Sequence, residues 1–362
     1  MVHLYQGSSA ETRAQKKSRT DVQTPGRVPR SQLRLPVVRQ SHLKPYVEFL
    51  TKIGAPTDRY LQRARLPIRD QPTTEYMSNR AYFEFVGTAA RKQGIRDLGF
   101  LACKKVGRSR LSPELLRRMD RSPTLYGALK GFCRDIHKDA SHIQMGLVEE
   151  PDRVLVWQRS APEAGPVGWD ISEQLVASMV IDVVRNFAGP HWYPFAIRLR
   201  SPDVPEECRE HLPNSRAQGG GQALTIPVPR ALLHLPPPYQ SAIQREMPEP
   251  LAYPDDLPSA LREVLKGYVN DGSACLELAA DIVGTSPRTL QRRLQESGTS
   301  FARVLEQARY QVAVSLLADP QVQAIDVAYA VGYSDPSNFS RAFRRMSGLS
   351  PTQFRNALAG VK

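Results

Sequence analysis

The feature that most constrains this chain is a repeat near its C-terminal end. Ala280-Asp281-Ile282-Val283-Gly284-Thr285-Ser286-Pro287, followed by Leu290, Arg292 and Leu294, recurs as Ala328-Tyr329-Ala330-Val331-Gly332-Tyr333-Ser334-Asp335-Pro336, followed by Phe339, Arg341 and Phe343. The second copy has one extra turn residue. In each copy the pattern predicts an amphipathic helix closed by a glycine able to turn left-handed. Ser286 or Asp335 then caps a second helix that begins with proline. Counted from that proline, apolar residues at +3 and +7 face the first helix, and the arginine at +5 faces away. This is the grammar of two helix-turn-helix units. Between them, Phe301, Val304, Leu305, Ala308, Val312, Leu316 and Leu317 recur at helical spacing. They predict one connecting helix of roughly 27 Å, long enough to set two recognition helices about one DNA turn (~34 Å) apart.

An outward arginine near the start of such a helix can hold a guanine edge with two hydrogen bonds or clamp a phosphate, and the major groove admits the helix. Beside Arg292 and Arg341 stand Arg288 and Gln291 in the first helix and Ser337, Asn338 and Ser340 in the second. Arg345, further along, is the candidate for a sequence-independent phosphate contact. A solvated polar face is the bland alternative for one such helix. Two copies with matched caps and matched arginines favour a nucleic-acid surface.

Net charge is consistent with that partner but does not locate it. The chain carries +13 overall, which suits a polyanion. Yet residues 1–40 hold eight Lys/Arg against two acids, whereas residues 258–362 hold twelve against nine. The arm is thus more basic than the repeat.

The rest of the chain reads as follows. Residues 1–35 are polar, basic and without an apolar period, as in a disordered arm. Residues 36–236 read as an α+β domain. Leu43, Val47, Leu50 and Ile53, and then Tyr82, Phe83, Phe85, Val86 and Ala89, mark core faces of two helices. Ile143 to Trp157 suggests a hairpin, Ile171 to Phe187 outlines a long helix ended by Gly189-Pro190, and short strands are expected at 195–199 and 223–228. Proline-rich residues 237–257 form a linker. Residues 258–360 form an all-α domain, its two helix-turn-helix motifs joined by the long helix.

Several function classes recede. The four cysteines have no metal-ligand spacing, and no apolar run reaches the roughly 20 residues of a membrane span. The chain therefore reads as cytoplasmic, with no membrane partner. No GxSxG elbow, Walker-A loop or HExxH occurs, so no enzyme and no cofactor is expected. His137 and His142 lie five apart, off a common helical face and without a third ligand. Cys103 and Cys133 are weak candidates for oxidant sensing. Trp157, Trp169 and Trp192 could line a small-molecule pocket, but a core or surface-anchor role is favoured for each.

At this point the residues match a known family. Ala328 through Arg345 (AYAVGYSDPSNFSRAFRR), followed by Gly348-Leu349-Ser350-Pro351-Thr352-Gln353-Phe354-Arg355, resembles the C-terminal signature of AraC/XylS-type transcription regulators. Ser286 to Leu294, with Gly298-Thr299-Ser300-Phe301 after it, is similar to the first recognition helix of members with a large N-terminal domain. The resemblance implies base-contacting positions at Arg288, Gln291 and Arg292, and at Pro336, Ser337, Ser340 and Arg341. Pro336 has no donor for a base, so the second helix is expected to lean on phosphates. More loosely, Leu125-Tyr126-Gly127-Ala128-Leu129 after Ser122-Pro123-Thr124, the hairpin, the long helix and Pro194 to Leu199 resemble the arabinose-binding-type sensor domain. That implies a small-molecule effector and a possible homodimer. The partners would be double-stranded promoter DNA and, for an activator, RNA polymerase. The segment Asp203 to Gly221 departs from the family pattern, and Gly219-Gly220-Gly221 within it reads as a flexible loop. An architectural DNA-coating protein without effector response is the alternative.

Overall fold

The computed structural model describes residues 35–67, 75–104, 115–116, 119, 121–160, 167–237, 254–269 and 272–359. The expected arm at 1–35, apart from its last residue, and most of the expected linker lie outside them. Strand β1 (Val37–Arg39) is followed by α1 (Lys44–Lys52) and α2 (Thr57–Arg63), and then by β2 (Tyr76–Ser78), which pairs antiparallel with β1. Helix α3 (Asn79–Gln93) leaves β2 directly and stops at Gly94, whose φ of 67° is the left-handed turn that side chains resist. Helix α4 (Leu98–Cys103) precedes α5 (Leu125–Asp135), whose N-terminus is capped by Thr124 accepting from the Gly127 N–H at 3.2 Å.

The hairpin expected from alternation is present as β3 (Ile143–Glu149) and β4 (Arg153–Ser160), and the long helix as α6 (Trp169–Ala188). Strand β5 (Ala196–Arg198), short helix α7 (Glu206–Glu210), β6 (Arg216–Gln218) and β7 (Leu224–Pro229) complete a sheet of order β3-β4-β7-β5-β6. All its pairs are antiparallel except β5 with β6. The pleat explains its buried face: Val154, Val156 and Gln158 of β4 lie opposite Val228, Ile226 and Leu224 of β7, all buried. Helix α6 packs on β7 and also on α3, α4 and α5, which is why most of its faces are apolar.

The C-terminal region is wholly helical among the described residues. Helix α8 (Leu257–Leu265) starts with a capping box between Asp256 and Ser259. It is followed by α9 (Leu276–Val283), α10 (Pro287–Glu296), α11 (Phe301–Leu317), α12 (Ala324–Ala330), α13 (Pro336–Ser347) and α14 (Pro351–Ala359). A sheet-containing N-terminal region thus precedes a helical C-terminal one, each with its own apolar core. Strands β1 and β2 serve both cores. Val38 and Met77 belong to the first, whereas their neighbours Val37 and Tyr76 join Leu35 in the second. Alternation along a strand sends successive side chains to opposite faces. At three residues each, β1 and β2 were too short to show this period in the sequence.

Two expectations need correction. Ile53 is not a core residue; it is exposed, because α1 ends at Lys52 and Ile53 lies past the last turn. The Gly219-Gly220-Gly221 run is not free. Gly220 and Gly221 donate to the carbonyls of Ser201 and Leu199 at 2.8 Å each, and a Cβ at Gly219 would meet the Ser201 carbonyl oxygen at 2.5 Å.

His142 is buried against the Phe83 ring, with His42 nearby and Asp139 4.0 Å beyond it. Among the described residues neither of its ring nitrogens meets a hydrogen-bond partner. Burial, and then the neighbouring His42, push its pKa down to about 3. The unfolded chain takes up this proton below about pH 6.5 whereas the fold resists until about 3. Stability is therefore complete above that upper value and is lost progressively as pH falls through the window. Urea unfolding at stepped pH should show this loss, and His142→Asn should flatten it. The variant comparison is needed because Glu173, held up to about 7 by burial, acts oppositely: its contribution is lost as pH rises from about 4.5 towards that value.

Candidate nucleic-acid interface

Each of the two helix pairs is built by local rules. Helix α9 closes at Gly284 (φ 73°), where the Thr285 N–H reaches back to the Ala280 carbonyl at 2.9 Å. Ser286 then accepts from the Thr289 N–H at 3.2 Å and starts α10, with Pro287 at its first position. In the second pair, Gly332 (φ 78°) follows α12, and Asp335 accepts from the N–H groups of Ser337 and Asn338 at 3.0 and 3.2 Å. Those backbone donors hold the Asp335 carboxyl below the usual carboxylate range.

The apolar rows of α10 and α13 face inward: Leu290 and Leu294 are fully buried, and Phe339 and Phe343 are 3% and 2% exposed. The opposite faces carry the residues named from sequence. Arg288, Gln291 and Arg292 are exposed on α10, as are Ser337, Asn338, Arg341 and Arg345 on α13; Ser340 is half-buried. Three of these arginines have partners. Arg292 donates to Glu296 at 2.5 Å, Arg341 to the Asn338 side chain at 2.5 Å, and Arg345 pairs with Glu306 of α11. An exposed ion pair one helical turn apart is worth about 0.3–0.5 kcal/mol, against about 1–3 kcal/mol for a bidentate base contact. Glu296 therefore orients Arg292 without withholding it. Arg344, also exposed on α13, was not singled out from sequence.

The N-terminal region grips the end of α9. Arg65 pairs with Asp281, Ser78 donates to the Ile282 carbonyl at 3.3 Å, and Arg80 donates to the Asp281 carbonyl at 3.5 Å. Tyr268 in turn donates to the Arg65 carbonyl at 2.5 Å. No periodicity marks these residues, and sequence reading missed them.

The other sequence candidates lie elsewhere. Trp169 borders a cavity beside α6, Trp157 packs over Gly146, and Trp192 rests on the first core. Cys103 and Cys133 are buried, and burial pushes the Cys133 thiol up to about 12, far from a reactive thiolate. His137 is exposed and bonded to the Arg134 carbonyl, apart from buried His142. Among the described residues no three His, Cys, Asp or Glu side chains are grouped to hold a metal, and no helix is long and apolar enough to cross a membrane.

A helix-turn-helix domain family matches residues 279–357. The ornithine utilization regulator of Pseudomonas aeruginosa is 39% identical over 82 residues, 23% of this chain and 24% of that protein. The chain thus spans about a quarter of that relative's length. The transcriptional regulator VirS of Mycobacterium tuberculosis is 25% identical over 340 residues, 90% of this chain and 98% of that protein. The crystal structure of the transcriptional regulator CdpR from Pseudomonas aeruginosa covers 83% of this chain and 96% of its own, with a TM-score of 0.37 and 18% identity.

Proposed function

We propose, from the premise that this chain carries an AraC-type helix-turn-helix domain and is a DNA-binding transcription regulator, that it reads two successive major-groove segments of promoter DNA. Helix α10 enters one segment and α13 the next, with α11 as the spacer. The observation that carries this reading is the twofold match: two capped, proline-started helices bury their apolar rows and turn Arg288, Gln291, Arg292, Ser337, Asn338 and Arg341 outward. Ser340 sits at the margin, and Arg344 and Arg345 add phosphate contacts further along α13.

In this reading residues 36–236 sense a small effector and pair subunits, residues 237–257 connect, and residues 258–360 dock on DNA. Effector control requires a ligand that binds DNA-competent and incompetent states with different affinity. RNA polymerase is the further partner if the output is activation, and the nucleoid is the place of action. The curated relatives are named as regulators, and nothing in them points to catalysis.

The test is selection of bound DNA from a random pool by the full-length protein, followed by titration of the winning site at varied salt. The expected result is a site of two blocks about one helical turn apart, bound about 10³-fold or more above random DNA. Strongly salt-dependent, sequence-indifferent binding would instead mark an architectural DNA-coating protein and overturn the proposal.

A further inference from the structure

A cavity of about 570 Å³ opens between the C-terminal half of α3, the first turns of α6 and the segment 199–208. That volume is in the range of small-molecule sites. One wall is held rigidly by glycines. A Cβ at Gly87 would meet the Val167 carbonyl oxygen at 2.6 Å, and one at Gly168 would meet the Phe83 carbonyl oxygen at 2.6 Å. Helix α3 and the start of α6 therefore touch backbone to backbone there.

The cavity's charges do not cancel evenly. Glu173 is 4% exposed, and its carboxylate accepts from the backbone N–H of Arg200, at 3.1 Å to each oxygen, and of Ser201, at 3.4 Å. These donors are neutral; the Arg200 guanidinium lies over the Trp169 ring, 5.0 Å from its centroid. Burial accordingly pushes the Glu173 carboxyl up to about 7. Asp170, three residues earlier on the same helical side, contributes to that rise, while the backbone donors and the Arg200 guanidinium oppose it. Of the two cations lining the cavity, Arg96 is taken by Asp203 at 2.9 Å, and Arg91 is exposed and bonded to the Gly87 carbonyl of its own helix. Among the described residues neither Glu173 nor Asp170 forms an ion pair within 4 Å, and both stand beside Trp169, Ile95 and Leu199. A buried carboxylate is costly until an opposite charge reaches it.

We propose that this cavity binds a small organic ammonium ion, its charge between Glu173 and Asp170 and its apolar part against Trp169, Ile95 and Leu199. This rests on the effector-controlled regulator reading above and supplies its ligand class. Helix α3 connects the site to the DNA-binding region. Its distal half, with Gly87, Ala90 and Arg91, lines the cavity, while Arg80, Ala81 and Glu84 near its start border a second cavity of about 290 Å³ against Asp281 and Ile282 of α9. The helix is 15 residues long, about 22 Å end to end. A shift of α3 on binding would act on the end of α9, just ahead of the turn into α10.

The experiment titrates the full-length protein at about pH 8, where Glu173 is ionised. The probes are phenethylamine and n-butylamine, with 2-phenylethanol and phenylacetate as neutral and anionic counterparts of the first. Thermal unfolding and tryptophan fluorescence report binding. The amines should raise the Tm and perturb the fluorescence, and the counterparts should not. Glu173→Gln should weaken amine binding by at least about tenfold. Asp170→Asn, at a partly exposed position that leaves folding undisturbed, should weaken it several-fold. The amine should also change affinity for the selected DNA, and Arg80→Ala should remove that change while leaving amine binding in place. Equal response to all probes, no response to either amine, or undiminished amine binding in both carboxylate variants overturns the proposal. Retained DNA selection without amine binding sinks this site alone; amine binding without DNA selection sinks the DNA reading and spares the site.

Discussion

Replacing Phe343 with alanine is expected to destabilise the C-terminal region by about 3–5 kcal/mol, the cost of emptying a well-packed aromatic site. The ring is 2% exposed and meets three others: Tyr310 of α11 at 5.1 Å, Phe339 of α13 at 5.7 Å and Phe354 of α14 at 5.3 Å between centroids. Three helices thus converge on one side chain, and little can collapse into the space it leaves. Urea unfolding of the full-length variant, followed by circular dichroism, measures the loss. Because the cluster seats α13, selection of the two-block DNA site should fail in the same variant. A loss below about 1 kcal/mol would show that α13 is held by something other than this cluster.

Arg292→Ala is expected to weaken binding to the selected site by about 1–3 kcal/mol, roughly five- to 150-fold, and to relax preference at one base. Affinity for random DNA should change far less. Arg345→Ala should instead weaken all sequences alike and lower the salt dependence, as a phosphate contact does. The structure adds a complication, since Arg345 pairs with Glu306 and its removal leaves that carboxylate close to the DNA face. Glu306→Gln in the same background separates the lost contact from the released charge. Equal loss on selected and random DNA for Arg292→Ala would remove that residue from base readout.

The C-terminal helices were the most legible part because what forms them is local. Ser286 and Asp335 meet donors two or three residues away, Pro287 and Pro336 begin the helices, and Leu290 with Leu294, or Phe339 with Phe343, share a face at a spacing of four. Each of those relations can be read along the chain. Hairpin β3–β4 and helix α6 were readable for the same reason, since Ile143, Met145 and Leu147 alternate ahead of the apolar run Val154 to Trp157, and Ile171 to Phe187 has a helical period. Trp169 shows where that method stops. From sequence this aromatic on an apolar helix looks like core, and it does pack on the first core as Trp192 does, but it also borders a cavity, which no helical period announces.

The sequence by itself determined the helix boundaries, the caps and which faces of α10 and α13 point outward, because these depend on neighbours within one or two turns. Tertiary structure alone decided that β1 and β2 serve two cores and that Arg65, Ser78 and Arg80 hold α9. It also decided that residues near 90, 170 and 200 enclose one cavity, and that Glu173 carries a carboxyl raised to about 7. Those properties arise from groups some thirty to two hundred residues apart in the chain, brought together and dried by burial, and no local period or cap encodes such distances.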